Sequence, residues 1–390
     1  MRKVHFVIFI ALLLAFTTLI SVACKKPSEN TTEEGTMEFE EDFSSFTFTL
    51  KADDTYEIGA NYITTADIVI PTSYNGKPVT SIQRYAFKDR PILSVSIPSS
   101  IKTIGEYAFA DCTLLSSLKI ASSLLSIKEY AFQGCSEVSY IYYDGTLNDW
   151  CGISFENVYS VPFTASEKEK LYVQNAYVDT IAFSSGLSKI SKYAFYDYEI
   201  LTSVSIPSTL SFVGESAFSS CSKLKNVYYQ GTWEKWFNIT FEKATANPFC
   251  NNSTQQMSFY INNQEISGNL VLSEGIRTIK DYTLYNLPIL SVTLPSTIQT
   301  VGGDCATCPI VLPMSITCIE ANTFTNVNRI YYAGTKTDYQ NVTIKEGALG
   351  ENTKVCYYSE NMPNNFYNST YSNDCWHYDQ NGTPILWSRY

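Results

Sequence analysis

The chain has 390 residues, of which 45% are hydrophobic and 17% are charged, and its formal net charge is -11. A chain this acidic would repel nucleic acid unless lysine and arginine were clustered, and the sequence after residue 23 has no such cluster. Histidine is the commonest metal ligand and the usual general base near neutral pH, but only His5 and His377 are present, so the composition argues against an enzyme, a metal site or a cofactor.

The first 24 residues predict an export signal. Two basic residues precede an apolar stretch at 6–20, and small residues then lead to Ala23 and Cys24. A small residue directly before a cysteine resembles the lipobox of bacterial lipoproteins. The resemblance implies that residues 1–23 are removed and that a lipid on Cys24 holds the protein on a membrane, outside the cytoplasm and exposed at the surface. An ordinary cleaved signal is the alternative, and the polar residues 24–36 predict a flexible tether.

Internal repetition dominates the rest of the chain. A six-residue phrase of the form I-x-x-Y-A-F recurs, and adjacent copies are 22 or 23 residues apart. The copies end at Phe87, Phe109, Phe132, Phe195 and Phe218, with weaker copies ending at Leu284 and Phe324. A turn and an alternating strand that ends in proline follow the phrase, as at 93–98, and period-two alternation puts the apolar side chains on one face.

A single copy of this unit cannot fold alone. About six apolar side chains at roughly 2 kcal/mol each would contribute on the order of 12 kcal/mol. Ordering about 22 residues costs roughly 30 kcal/mol. Stacked copies can close this gap, because each coil then buries both of its faces and pairs its strands with its neighbours. The repeat therefore predicts a solenoid.

The repeat resembles the BspA-like leucine-rich repeat of bacterial surface proteins, over most of residues 62–333. The resemblance implies a β-rich, right-handed coil stack with a sheet along one face and short helical turns elsewhere. It also implies adhesion to host or matrix proteins, or to neighbouring cells. Eight to ten coils are expected, which would give a face about 40–50 Å long.

A longer repeat is superimposed on the short one. The sequence Y-Y-x-G-T occurs at 142–146, 228–232 and 331–335, and an aromatic residue follows each glycine by five positions. The chain is therefore interpreted as an N-terminal cap with strands, three modules that each end in an aromatic insert, and a C-terminal cap. The proposed bounds are 37–80 for the first cap, 81–175, 176–264 and 265–361 for the modules, and 362–390 for the last cap.

The aromatic residues of the inserts have two interpretations. In the first, one tyrosine of each pair faces the core and the tryptophan holds the insert in place. In the second, some of these side chains face outward, and Trp150, Trp236 and Tyr339 are then candidate ligand contacts, because exposed tryptophan and tyrosine are typical recognition anchors. Such side chains would also stack on sugar rings, so a glycan is a possible ligand.

Cysteines and the late histidine are the remaining candidates for chemistry. Cys112, Cys135 and Cys221 each follow a phrase phenylalanine by three residues, which predicts a buried column of free thiols. The C-x-x-C at 305–308 lacks the further ligands of a zinc site, so a structural role is favoured and a local disulfide is the main alternative. Aromatic residues flank His377, which predicts a packed cap rather than a catalytic site.

These observations support a lipid-anchored surface protein that binds other macromolecules and catalyses nothing. Extracellular or host-matrix proteins are the expected partners. Two alternatives remain open at this point: a glycan-binding accessory protein of the cell surface, and a purely structural envelope protein.

Overall fold

The computed structural model describes residues 43–63, 65–163, 170–251, 257–361 and 374–387. The residues from Phe43 onwards belong to one compact unit, which is a leucine-rich-repeat β-solenoid of about 13 turns with few helices. The predicted fold class is thus confirmed. The export signal, Cys24 and the tether lie outside the described residues.

The strands are short and follow the repeat. Up to residue 177 they are β1 (Phe46–Leu50), β2 (Tyr56–Ala60), β3 (Asp67–Val69), β4 (Ser73–Tyr74), β5 (Lys77–Ile82), β6 (Ser94–Ile97), β7 (Thr103–Ile104), β8 (Ser117–Ile120), β9 (Ser126–Ile127), β10 (Tyr140–Tyr143), β11 (Ser154–Phe155), β12 (Lys170–Val173) and β13 (Ala176–Tyr177). The next group is β14 (Thr180–Ala182), β15 (Lys189–Ile190), β16 (Ser203–Pro207), β17 (Phe212–Val213), β18 (Asn226–Gln230), β19 (Thr240–Phe241), β20 (Ser258–Ile261) and β21 (Gln264–Ile266).

The last group of strands is β22 (Asn269–Val271), β23 (Thr278–Ile279), β24 (Ser291–Thr293), β25 (Thr300–Val301), β26 (Ile310–Leu312), β27 (Cys318–Ile319), β28 (Arg329–Tyr332), β29 (Thr343–Ile344), β30 (Lys354–Tyr358), β31 (Cys375–Tyr378) and β32 (Pro384–Leu386). Three short helices lie at corners of the coil: α1 (Leu147–Trp150), α2 (Trp233–Phe237) and α3 (Lys336–Tyr339). Single 3-10 turns occupy Val158–Ser160, Ala244–Ala246 and Pro248–Asn251.

Successive coils build two sheets, A and B, in which the strands of neighbouring coils pair in parallel. Sheet A has three sections, in the orders β3-β6-β8-β10-β12-β13, β14-β16-β18-β20-β21 and β22-β24-β26-β28-β30-β31-β32. Sheet B has four, namely β1-β2-β5-β7-β9-β11 with β4 beside β5, then β15-β17-β19, β23-β25 and β27-β29. Each section of sheet A ends in an antiparallel hairpin, β12–β13, β20–β21 or β31–β32.

The recurring phrase explains how the coils stack. Its isoleucine lies on sheet B, where Ile82, Ile104 and Ile127 pair in register. Its phenylalanine lies under the following turn, and the ring centroids of Phe87 and Phe109 are 5.1 Å apart with nearly parallel planes. Equal positions of successive coils therefore meet in the core, which is why a periodic sequence gives a periodic stack.

The tyrosine of the phrase has a backbone role that its sequence position does not reveal. Tyr85, Tyr107 and Tyr130 have φ angles of 60°, 54° and 58°, in the left-handed region, which costs a non-glycine residue roughly 1–2 kcal/mol. The backbone N–H of Tyr85 donates to the carbonyl of Glu106 in the next coil at 2.9 Å. The Tyr85 and Tyr107 rings also stack at 5.1 Å, so bonding between coils offsets the strain.

The estimate of eight to ten coils was too low. The aromatic inserts are themselves turns of the solenoid: β10 lies in sheet A, α1 turns the corner, β11 pairs with β9 in sheet B, and β12 returns to sheet A. Strands β3 and β5 of the proposed N-terminal cap likewise join the two sheets. Their sequences depart from the short repeat, so its period alone could not identify them as coils.

Candidate binding surface

The face of sheet A that points away from the core carries a group of tyrosines, which we call platform 1 and which consists of Tyr140, Tyr142, Tyr172 and Tyr177. Neighbouring ring centroids are 6.4, 5.1 and 5.7 Å apart in that order. Tyr140 and Tyr177 are 40% and 44% exposed. The Nζ of Lys170 lies 5.8 Å from the centre of the Tyr140 ring, within the range of a cation–π contact.

A smaller copy of this arrangement recurs in the second section of sheet A. Tyr228 and Tyr260 pair in register on β18 and β20, and their rings stack at 4.7 Å with planes 17° apart. We call this pair platform 2. Its hairpin strand carries Glu265 opposite Tyr260, at the position where platform 1 has Tyr177 opposite Tyr172.

Within each platform, neighbouring tyrosine rings turn their faces toward one another. The planes of Tyr142 and Tyr172 are only 23° apart, so one face of each ring is turned to the other ring. Partial burial raises the pKa of Tyr142, and the adjacent Tyr172 raises it further, so the Tyr142 phenol stays neutral in physiological conditions. Edges and neutral hydroxyls are therefore what this part of platform 1 offers, and aromatic edges favour T-shaped contact with another ring.

On the third section of sheet A, the C-terminal segment covers the position at which the other two sections carry platforms. Tyr331 occupies the position of Tyr142 and Tyr228 in the Y-Y-x-G-T repeat, but it is only 5% exposed. The β31–β32 hairpin, which we call the C-terminal hairpin, lies against it. Val311, Tyr331, Cys356 and Trp376 form a small separate core beneath this hairpin.

The three proposed ligand-contact side chains lie inside the protein. Trp150 and Trp236 are fully buried and Tyr339 is 8% exposed. The indole N–H of Trp150 donates to the carbonyl of Ala194 at 2.7 Å, and that of Trp236 to the carbonyl of Thr283 at 2.8 Å. The outward-facing interpretation is therefore wrong for these residues. Each tryptophan instead reaches across to the coil that begins the next section of sheet A.

Of the two interpretations of the tyrosine pairs, the structure supports the structural one. Tyr143 and Tyr229 are at most 1% exposed, whereas Tyr142 and Tyr228 lie on the outer face and are half-buried. Strand alternation fixes this division. The sequence did not show that the outward tyrosines of adjacent strands would form platforms, because that requires knowing which strands are neighbours.

The predicted column of buried thiols is confirmed. Cys112, Cys135 and Cys221 are at most 1% exposed, and the Sγ of Cys112 donates to the carbonyl of Phe87 at 3.0 Å. Burial raises the pKa of Cys112 to about 12. Cys305 and Cys308 are both free thiols, so no local disulfide joins them.

Among the described residues, neither His377 nor the acidic side chains form a recognisable metal site. The His377 ring stacks on Trp387 with centroids 3.8 Å apart, and its Nδ1 lies 2.9 Å from the carbonyl oxygen of Tyr378. Within the described part of the chain, no group of three or more His, Cys, Asp or Glu side chains could hold a metal ion. In the same residues, no helix has the length and apolar character needed to cross a membrane.

The coil stack and its two sheets define a leucine-rich-repeat solenoid. The chain belongs to the family described as the BspA type leucine rich repeat region, whose pattern matches in six copies at residues 61–177, 167–305 and 255–373. BspA-like proteins are bacterial surface proteins, and the solenoid is typical of protein-binding members of that group. No curated protein matches the chain.

Several solved structures are similar to this chain. A leucine-rich repeat protein from Bacteroides ovatus is 16% identical, with 82% of this chain and 91% of that chain covered and a TM-score of 0.39. The T. pallidum leucine-rich repeat protein is 21% identical, with 50% and 88% covered and a TM-score of 0.35. The pneumococcal vaccine antigen PcpA is 12% identical, with 81% and 92% covered and a TM-score of 0.35.

Proposed function

We propose that this chain is a surface-anchored adhesin whose solenoid binds proteins of a host, a matrix or a neighbouring cell. The observation that supports this proposal is the outer face of sheet A, where a rigid parallel sheet presents the tyrosine edges of platforms 1 and 2. Tyrosine supplies a large, stiff contact area with a polar tip at a small cost in side-chain entropy. No catalytic step is part of the proposal.

The same surface favours a protein ligand over a glycan. A sugar ring stacks on a free aromatic face, but Trp150 and Trp236 are buried, and each stacked tyrosine has one of its two faces turned to a neighbouring ring. Edges and hydroxyls suit the side chains and backbone of a protein. Glycan capture and a purely structural role are therefore alternative outcomes of the binding test.

The binding test uses soluble protein comprising residues 25–390, screened against matrix proteins and a glycan array. We expect saturable binding to a protein that free sugar does not displace. Binding to a glycan alone would replace adhesion with carbohydrate capture. If folded protein binds neither, the structural role is favoured and the adhesin proposal fails.

The anchor is a separate part of the proposal and rests on the lipobox-like sequence that ends at Cys24. The full chain should be recovered with bacterial membranes and should incorporate labelled fatty acid. The Cys24→Ser variant should lose the label and leave the membrane fraction. A label that persists in this variant, or a wild-type chain that never acquires one, would contradict lipid anchoring at Cys24.

A further inference from the structure

Sheet B is interrupted in the same way at two places. Among the described strands, β11 does not pair with β15, and β19 does not pair with β23. The backbone N–H of Ser191 donates to the carbonyl of Cys151 at the first interruption, and the N–H of Lys280 donates to the carbonyl of Phe237 at the second. The indole bonds of the two insert tryptophans repeat this correspondence. Three pairs of equivalent positions follow: Gly152 with Asn238, Ser154 with Thr240, and Ser191 with Lys280.

At the second interruption, the side chain of Lys280 lies in the space beside β19. Its Nζ donates to the carbonyl of Asn238 at 2.7 Å and to the Oγ1 of Thr240 at 3.0 Å. An ammonium group has three donors, so a carbonyl and a hydroxyl held in fixed positions satisfy two of them. Hydrogen bonds from a charged donor are also stronger than those between neutral groups. The space beside β19 is therefore an ammonium site, which the chain fills with its own lysine.

The first interruption keeps both accepting groups but carries serine in place of the lysine. Gly152 supplies the carbonyl and Ser154 the hydroxyl, and the short side chain of Ser191 stands at the position of Lys280. Neither accepting group hydrogen-bonds to another residue of the described chain. A cleft of about 320 Å³, which we call the β11 cleft, lies here, and its walls include Gly152, Ser154, Ser191, Phe155 and Phe212.

Three charged side chains, Lys189, Lys192 and Glu242, also line the β11 cleft. The Nζ of Lys192 lies 2.8 Å from a carboxylate oxygen of Glu242, so these two charges compensate each other. The Nζ of Lys189 forms no ion pair within the described residues and lies 5.5 Å from the centre of the Phe212 ring. A ligand with only an ammonium group would therefore meet one uncompensated positive charge. A ligand with a carboxylate beside its ammonium would compensate that charge.

We propose that the β11 cleft binds a lysine side chain of a partner protein, with Gly152 and Ser154 accepting hydrogen bonds from its ammonium and Lys189 pairing with a carboxylate side chain of the same partner. The methylene stem of the lysine packs along the ring of Phe212, which is partly exposed. In an extended segment, residues two positions apart face the same side, so the lysine and the acidic residue are expected at i and i+2. This inference rests on the proposed protein-binding function and names one contact site and the partner chemistry that it takes.

Saturation-transfer NMR with a short peptide tests this inference. The probe is the blocked peptide Ac-GKGEG-NH2, whose only charges are one lysine and one glutamate, and the control peptide carries acetyl-lysine in place of lysine. The protein is the soluble chain of residues 25–390. Two matched variants probe the accepting hydroxyl: Ser154→Thr keeps it, as Thr240 does at the second interruption, and Ser154→Val has the same shape without it.

We expect the probe to bind Ser154→Thr within twofold of its affinity for the wild type. Ser154→Val should raise the Kd at least fivefold, because the ammonium loses a hydrogen bond. No binding of the probe, equal binding of the acetylated control peptide, or equal affinities of the two Ser154 variants would overturn the inference. Thermal unfolding midpoints close to that of the wild type would show that the variants fold.

A second pair of variants tests the comparison with Lys280. Ser191→Lys should abolish binding of the probe, because it places the chain's own ammonium in the cleft. Ser136→Lys adds the same charge at an exposed turn that does not line the cleft, and it should leave binding unchanged. If folded Ser191→Lys bound the probe as well as Ser136→Lys does, the β11 cleft would not be the site.

Three further outcomes separate this inference from the proposed function. If a matrix protein binds the wild type, Ser154→Val and Ser191→Lys equally well, adhesion stands and the lysine site falls. If the probe binds as expected but no matrix protein does, the lysine site stands and the adhesin proposal falls. If free lysine binds more than tenfold more tightly than the peptide, the occupant is a small amino acid, and the inference of a partner protein is overturned.

Discussion

Among single residues, the glycine of Y-Y-x-G-T has the clearest steric reason for its recurrence. A Cβ at Gly145, Gly231 or Gly334 would lie 2.6 Å from a ring carbon of the tyrosine two positions earlier. The Tyr229 ring cannot move away at low cost, because it is fully buried and packs on Trp236 at 5.2 Å. The inward tyrosine and the following glycine are therefore one packing unit.

The variant Gly231→Ala should lower the free energy of unfolding by about 1–3 kcal/mol, since the added methyl group overpacks a closed core. Urea denaturation monitored by circular dichroism would measure this. Gly186→Ala is the matched control, because a Cβ there meets nothing within 4 Å. Equal effects of the two substitutions would contradict this account.

Buried thiols make stability depend on alkaline pH. The Cys112 thiol has its pKa raised to about 12 by burial, whereas an unfolded thiol titrates near about 8.5. Between these values the unfolded state binds fewer protons than the folded state. The free energy of unfolding therefore falls as pH rises, by about 1.4 kcal/mol per pH unit for one such group.

Removing this thiol should make the free energy of unfolding fall less steeply with pH in the alkaline range. In Cys112→Ala, the free energy of unfolding should decline between pH 9 and 11 about 1.4 kcal/mol per pH unit less steeply than in wild type. Between pH 6 and 8 the two proteins should give parallel profiles, because the thiol is then protonated in both states. Urea titrations at each pH provide the measurement, and identical alkaline slopes would refute the burial argument.

At the scale of elements, α1 and α2 position the tryptophans that join sections. Thr146 and Thr232 cap these helices through their side-chain oxygens, and the cap satisfies a backbone donor at each N-terminus. The capped helices direct the side chains of Trp150 and Trp236 to backbone carbonyls of the following section, which lie 44 and 47 residues further along the chain. These helices are too short to be stable alone, so their packing maintains them.

The Trp150→Phe variant keeps an aromatic ring but leaves the Ala194 carbonyl without its indole donor. We expect a loss of about 1–3 kcal/mol, the usual cost of a buried unsatisfied group. Hydrogen exchange should show the earliest loss of protection around residues 191–195. Trp233→Phe serves as control because this side chain is only partly buried, and it should change stability much less.

Over the whole molecule, the core is more continuous than the sheets. Sheet A is broken after β13 and again after β21, yet one cluster of buried side chains runs from Ile58 to Ala348 across both breaks. Backbone bonds also cross them, from Ser191 to Cys151 at 3.0 Å and from Lys280 to Phe237 at 3.1 Å. The described sections should therefore unfold together.

Weakening the contacts across the second break, which follows β21, should uncouple the sections on its two sides. Trp236→Ala removes a fully buried ring and a bond across the break, so we expect thermal unfolding to split from one transition into two, as neighbour coupling in a linear array predicts. Phe218→Ala creates a comparable cavity within one section and should lower the midpoint while keeping a single transition. Calorimetry distinguishes these outcomes. Two transitions in wild type, or one in Trp236→Ala, would contradict this interpretation.

The sequence alone determined the solenoid and the column of buried thiols. A repeat places equal residues in equal surroundings, so period and alternation decide which of these side chains face inward. Cys112 and Cys135 could be predicted for that reason.

Only the tertiary structure decided the features that depend on contacts between coils or sections. These are the number of turns, the direction of Trp150 and Trp236, the stacking of outward tyrosines into platforms, and the covering of Tyr331 by Trp376. The partners in these contacts lie tens of residues apart, as with Trp376 and Tyr331. No local period encodes which distant strand lies beside another or which face a returning hairpin covers, so packing between coils had to supply that information.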